Sequence, residues 1–447
     1  KPISLSRLKL RLRRDSEIGF FCRLYSHVHK LHLFTHSLIH AFNHFLMSQH
    51  KLTTRIVHDG EHPERNRLGA PTVMPIVSSA TYVQTNAEGI DWGFANVNES
   101  FTYIRRGNPT VQALEIAIAS AEETKGAIAT ATGMAAMFLA IQTALYTPSP
   151  KNKTKRVLCA RDVFGSTFTL LKDVFALQGY ETVLCDITNM DEVAQIMTSQ
   201  QPDVLILEAI SNPMLKVSDI PTLTAMAHEI GARVIVDATI ATPVLRRMVY
   251  DGVDIIMHSA TKYLNGHGDI AAGAVAINDP ELLKSAQKFS RLIGLNLAPY
   301  EARMVSRGMK TLTLRMKQQC ANADAVAAWL AQQPAIKTVF HPSLPNHPQH
   351  ELCKRLFNGH FGAVVSFELV NASRSAVFGL MDRCKIITPT TSIGDIYTLM
   401  TYPAISSHRD IAPEERAKQG ITDGLVRLSV GIEDVEDIIA DLAQALS

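Results

Sequence analysis

Five short apolar runs, with helical patterns between them, constrain this chain more than any other feature. RVLCA (156–160), ETVLCD (181–186), DVLILEAI (203–210), RVIVDAT (233–239) and VDIIMHSA (253–260) recur about every 20 to 30 residues. Amphipathic stretches such as SDIPTLTAMAHEIG (218–231) separate them. Runs of this length suit strands buried on both faces, and the intervening helical spacing makes β-α-β units, so a mostly parallel sheet is expected. Upstream, VQALEIAIASAEE (111–123) has helical spacing and TPSP (147–150) breaks the chain. Ligands of such sheets collect at the carboxyl ends of the strands. Functional residues are therefore expected just after these runs. A change of domain is expected in the helical region 292–333, followed by a smaller α/β portion that contains GAVVSFEL (362–369) and LVRLSVGIE (425–433).

Composition adds mostly exclusions. The 447 residues are 46% hydrophobic and 19% charged, enough for two or three globular domains. A net charge of +2 gives no global argument for a nucleic-acid or membrane partner, and no apolar run is long enough to span a bilayer. The six cysteines, Cys22, Cys159, Cys185, Cys320, Cys353 and Cys384, form no C-x-x-C pair. They read as reduced thiols of a cytoplasmic protein rather than a metal site or a disulfide framework. Residues 1–46 stand apart, with eight Lys and Arg against two acids, and Met47 follows directly. A targeting peptide is one reading of this basic leader. The reading preferred here is sequence upstream of a start at Met47, disordered or not native.

The densest chemistry lies in HSATKYLNGHGD (258–269), directly after an apolar run. A lysine leaving buried surroundings loses hydration, and its pKa falls. A neutral amine is what Schiff-base formation with an aldehyde requires. Ser259 and Thr261 flank Lys262 with hydroxyls suited to a phosphate, and the glycines after it permit close backbone approach. A lone lysine in this place would ordinarily be a solvated loop residue; the surrounding string argues otherwise. Asp237 ends the preceding run, 25 residues before Lys262. Asp is a common cap, but a carboxylate here would also suit the ring nitrogen of a pyridoxal. ATGMAAM (131–137) joins a small-residue turn to a helical pattern, a common phosphate-binding arrangement and weak by itself.

Taken in order, YIRRGNPT (103–110), ATGMAAM, DVFGST (162–167), ISNPML (210–215), VDATIATP (236–243), HSATKYLNGHGD, RGMKTL (307–312), TSIGD (391–395) and RLSVGIE (427–433) resemble the Cys/Met-metabolism pyridoxal-phosphate enzymes. These include cystathionine γ-synthase, the cystathionine lyases, methionine γ-lyase and the acylhomoserine sulfhydrylases. The resemblance runs from about residue 52 to the C-terminus. It implies an α/β fold, fold type I of the pyridoxal-phosphate-dependent transferases. That fold has a large domain with a mostly parallel seven-stranded sheet and a smaller C-terminal α/β domain. The expected division is an arm (47–109) that serves the neighbouring active site, a cofactor-binding domain (110–300) and a C-terminal domain (301–447).

The resemblance also implies roles. Lys262 would carry pyridoxal 5'-phosphate and shuttle protons. Gly133, Met134, Ser259 and Thr261 would hold its phosphate, and Tyr103 and Arg105 would reach the phosphate of a neighbouring subunit. Asp237 would pair with the ring nitrogen, with Thr239 of the same string beside the cofactor. Arg427, helped by Ser392 and Asn212, would grip the substrate α-carboxylate, an anion that suits an Arg fork. No metal is implied. The assembly implied is a dimer of dimers acting on a small amino acid.

Two positions depart from the family pattern. Phe164 stands where a Tyr usually stacks on the cofactor, so stacking survives without the phenol. A departing thiolate benefits from a proton donor more than an acyl carboxylate does, and Phe164 is therefore compatible with γ-replacement on acylated homoserine. Ser166 stands where methionine γ-lyases commonly carry Cys. Against this, Asp395 resembles methionine γ-lyases and acetylhomoserine sulfhydrylases, Tyr397 replaces the Glu of cystathionine enzymes, and Ala238 replaces a frequent Asn. The reading is γ-elimination or γ-replacement of the cystathionine γ-synthase/γ-lyase type, with methionine γ-lyase and O-acylhomoserine sulfhydrylase as close alternatives. An aminotransferase on the same fold is opposed by the S-x-T-K string and the YIRRGNPT arm. A pyridoxal-binding scaffold without catalysis is the non-enzymatic alternative.

Overall fold

Each of the five apolar runs contains a strand. The computed structural model describes residues 50–61, 69–96, 100–148, 154–407, 409 and 413–447; the basic leader, Cys22 and part of the 47–109 arm lie outside these. Among the described residues, β1 (Gly126–Thr130), β2 (Arg156–Ala160), β3 (Glu181–Cys185), β4 (Val204–Glu208), β5 (Arg233–Asp237), β6 (Ile255–His258) and β7 (Gly273–Ile277) form one sheet, in the order β1-β7-β6-β5-β4-β2-β3. The pairs among β2 to β6 are parallel. By contrast, β7 runs antiparallel to both of its neighbours. The reason lies in the connection. Each parallel pair is joined through a helix, whereas β6 reaches β7 through HSATKYLNGHGD, which contains none, so the chain reverses. The lysine-bearing string is thus the one crossover without a helix in the middle of the sheet.

Helices flank this sheet with legible ends. Asn108 caps the Pro109–Glu122 helix, its side chain accepting from Thr110 N (2.9 Å) and Val111 N (3.3 Å), with Pro109 in the first turn. Thr132 Oγ1 accepts from Ala135 N at 3.0 Å and starts the Gly133–Tyr146 helix at the end of β1.

A second sheet, in the order β10-β11-β12-β9-β8, holds β8 (Ile336–Phe340), β9 (Val364–Leu369), β10 (Thr388–Pro389), β11 (Leu399–Thr401) and β12 (Leu425–Ser429). It has its own hydrophobic core. The Leu312–Leu330 helix belongs to both cores: Leu312, Met316 and Cys320 pack with the larger, and Ala323, Val326 and Leu330 with the smaller. Residues Leu52–Ser447 make up one unit. No helix among the described residues is long and apolar enough to cross a membrane.

Candidate active site

The carboxyl ends of β4, β5 and β6 open into a cavity of about 710 Å³. Glu208 and Asp237 close neighbouring strands in register, and β6 runs on through His258 into Ser259 and Lys262. Gly133, Met134, Phe164, Asn212, Asp237, Thr239, Ser259, Thr261, Lys262 and Arg427 all line the cavity. Ser392 sits at its edge and accepts a hydrogen bond from Lys262 Nζ at 3.0 Å. Tyr103 and Arg105 do not line it. They lie on the arm, where Ile104 N bonds Ala80 O (2.9 Å) and Arg105 joins Arg106, Glu115 and Arg291 around a smaller cavity of about 220 Å³.

Burial, and next the nearby Arg427, hold the Lys262 ammonium below the usual lysine range, while Asp395 opposes them. The lysine is fixed by its turn: Lys262 N bonds Ser259 O (3.1 Å) and Gly266 N bonds Lys262 O (2.8 Å). Gly266, at φ +74°, adopts the left-handed conformation that favours glycine. Thr261 behaves differently from Ser259. Its hydroxyl accepts from Ala272 N (2.9 Å) and donates to Ala272 O (3.1 Å), so it also ties the turn to the strand that follows.

Across the cavity, Thr132 and Gly133 bring a helix start against Ser259. A Cβ at Gly133 would stand 2.7 Å from Ser259 Oγ, so only glycine lets the two approach. A helix start beside a serine hydroxyl is a cradle for a phosphate. Asp237 accepts from Thr239 N at 2.9 Å. Burial raises its carboxyl above the usual range; the bonds to Thr239 and the charge of His258 pull the other way. Behind the site, His258 Nε2 and Glu122 Oε1 are 2.6 Å apart and both residues are buried.

Arg427, on β12 of the smaller sheet, is 3% exposed. Its guanidinium donates to Asn212 Oδ1 (3.1 Å), Thr391 O (3.1 Å) and Ser392 O (2.9 Å), and burial lowers it to about 10. No carboxylate among the described residues forms a salt bridge with it, so a buried cation faces the cavity without a counter-charge. Such a guanidinium can receive an anion. Phe164 is 41% exposed on the cavity wall.

Glu208 is absent from the sequence expectations. It lines the cavity, is buried, and accepts from Phe164 N at 2.6 Å. Its one signal in the sequence is an acid inside the apolar run DVLILEAI, on the strand beside Asp237.

A half-buried lysine of lowered pKa, a helix-start cradle, a strand-end carboxylate and an uncompensated arginine fit the aldehyde, phosphate and ring nitrogen of pyridoxal 5'-phosphate and the carboxylate of an amino acid. The fold and site define a pyridoxal-phosphate-dependent enzyme. Residues 53–447 match the model of the Cys/Met metabolism PLP-dependent enzymes, and the chain belongs to that family. It is 39% identical over 402 residues to an L-methionine gamma-lyase of Fusobacterium nucleatum subsp. polymorphum, covering 88% of this chain and 98% of that one. It is 37% identical over 391 residues to the O-succinylhomoserine sulfhydrylase of Pseudomonas aeruginosa, covering 87% and 92%. A solved cystathionine gamma synthase from Xanthomonas oryzae pv. oryzae, in complex with aminoacrylate and cysteine, superposes with a TM-score of 0.81 at 31% identity, covering 89% and 98%. Relatives of similar rank thus carry different reactions.

Proposed function

We propose that the chain catalyses γ-elimination or γ-replacement on a sulfur amino acid or an acylated homoserine, in the manner of cystathionine γ-synthase and γ-lyase. The observation that carries this reading is the pairing in one cavity of a lysine of lowered pKa with a buried arginine that has no counter-charge. Pyridoxal 5'-phosphate, when bound, supplies an aldehyde for the amino group and a ring that takes up the electrons of the broken Cα–H bond. The remaining work falls to the chain. Arg427 binds the substrate carboxylate and orients Cα towards Lys262. The Nζ of Lys262, its pKa lowered by burial and by Arg427, takes the α-proton in its unprotonated form and returns a proton further along the substrate. Asp237 holds the proton of the ring nitrogen. Ser259 and the helix start at Gly133 bind the phosphate.

Within this class, Phe164 favours an acylated homoserine. The Phe164 ring itself carries no hydroxyl to protonate a departing thiolate, and a carboxylate leaving group needs none. The arm supports self-association, since Tyr103 and Arg105 stand outside their own chain's cavity. Mixed dimers of Lys262→Ala and Arg105→Ala chains would then recover activity that neither variant has alone.

The test is a substrate panel. Release of ammonia and 2-oxo acid is followed from cystathionine, methionine, cysteine and acylated homoserines, then thioether formation after cysteine or sulfide is added. Turnover of the acylated homoserines with added thiol is expected. Phe164→Tyr should raise elimination relative to replacement, and an unchanged ratio would remove the leaving-group argument. Full transamination with 2-oxo acid acceptors would instead point to an aminotransferase. Bound cofactor without any turnover would point to a scaffold.

A further inference from the structure

Glu208 is a buried carboxyl that the reaction above does not use, and its surroundings are specific. It ends β4 in register with Asp237 at the end of β5, so two acids stand side by side at the strand ends facing one cavity. Its Oε1 accepts from the backbone N–H of Phe164 at 2.6 Å, and the carboxyl also takes the backbone N–H of Asn212. Glu208 therefore holds the residue that presents a ring to the cofactor and the residue that bonds Arg427.

We propose that Glu208 is a positioning residue of this site, a neutral carboxylic acid that seats Phe164 and leaves the negative charge of the strand-end pair on Asp237. Two buried carboxyls side by side oppose each other's ionisation. The groups around the pair decide which one keeps the proton. Asp237 has the bonds from Thr239 and faces His258, both of which favour its anion. Glu208 faces Asp237 and Asp162, which oppose its ionisation; the backbone N–H groups of Phe164 and Asn212 favour its anion, and burial with the two charges outweighs them. The cation on that side, Lys216, is engaged by Asp162 at 2.8 Å and by Asp186 at 3.2 Å. Lys262 and Arg427 line the same cavity from the other side. Burial and the Asp237 charge accordingly push the Glu208 acid well above the usual carboxylate range. The consequence for function is a division of labour: one acid serves the ring nitrogen, and its neighbour, uncharged, fixes the stacking wall.

The proposal rests on the cofactor reading above, and its test separates the two. Full-length wild type, Glu208→Gln and Glu208→Ala are compared with and without pyridoxal 5'-phosphate. In the cofactor-free chains, folded Glu208 keeps a proton that the unfolded chain gives up. The wild type therefore loses stability relative to Glu208→Gln as pH rises above the ordinary carboxylate range. The gap in Tm between the two should widen towards alkaline pH by about 2 °C or more. A gap independent of pH overturns the neutral acid. In reconstitution, glutamine retains an accepting oxygen and the neutral state. Its cofactor Kd should stay within about threefold of wild type, whereas Glu208→Ala should weaken it by about 30-fold. Equal losses in the two variants would mean that the site uses a carboxylate anion, and would sink the assignment. If the wild type takes up no cofactor at all, the proposed function fails while the Tm comparison still decides the state of Glu208.

Discussion

Two buried polar clusters of this protein look alike by titration and differ in everything that matters for chemistry. One is the strand-end cavity, with Lys262 and Arg427 shifted down and Asp237 and Glu208 shifted up. The other lies beside β8. There burial takes His341 down to about 3 and His347 to about 4, and raises Asp324 to about 6. His341 Nδ1 is 2.7 Å from Ser343 Oγ and 3.8 Å from Asp324 Oδ1. In this second cluster the cost of burial is met by neutralisation, because a histidine so shifted is uncharged at neutral pH. In the first, a guanidinium stays charged and faces about 710 Å³ of open volume. Perturbed protonation marks burial; a charge left unmatched beside an open cavity marks a binding site.

That contrast can be broken by substitution. Lys262→Ala has the largest expected effect: turnover falls by about a thousandfold or more, and the visible absorption of bound cofactor disappears. Asp237→Asn should retain the cofactor and lower kcat by about a hundredfold, read by steady-state kinetics on the reconstituted enzyme. Arg427→Ala removes a desolvated fork from the substrate carboxylate. It should raise KM by about 30-fold, with a smaller change in kcat.

His341→Asn should leave kcat/KM within about twofold, and its effect is on stability. Below the ordinary histidine pKa the unfolded chain takes up a proton that folded His341 refuses until about 3, so wild-type stability attributable to His341 falls as pH drops through that window. Asp324 has the opposite sign. Its folded carboxyl holds a proton up to about 6, so it regains stability as pH falls towards 4. The fully buried histidine is worth up to about 3 kcal/mol at about pH 4, and the variant's deficit should shrink by that order between pH 7 and 4 in denaturant titrations. A large catalytic loss in His341→Asn, or none in Arg427→Ala, would erase the distinction between the clusters.

Legibility from sequence followed the same physics. RVLCA coincides with β2 because an aliphatic run between breakers has one stable use in a buried sheet. The lysine string and Asp237 are visible as residue types at strand ends, whereas Arg427, in the middle of β12, is picked out only by the family resemblance. β1 and β7, GAIAT and GAVAI, are not visible, since small residues carry little hydrophobic signal. They pair with each other along their whole length, and Gly273 passes the Thr132 carbonyl, which a Cβ would meet at 2.2 Å. Glu208 was hidden inside an apolar run. The Glu122–His258 contact spans 136 residues, and local patterning does not register it. The hydroxyl of Thr261 was read as a phosphate donor from its neighbours in sequence, and its bonds to Ala272 depend on a strand that the pattern did not reveal.

The Leu312–Leu330 helix gives the molecule a shared beam. Its first half is cemented into the layer that carries Lys262, its second half into the layer that carries Arg427. The two hands that would hold opposite ends of one amino acid are therefore mounted on a single rigid rod. A chain severed on either side of that rod would leave one fragment with bare apolar surface where its partner had been, so neither half should be recoverable as a well-behaved protein by itself.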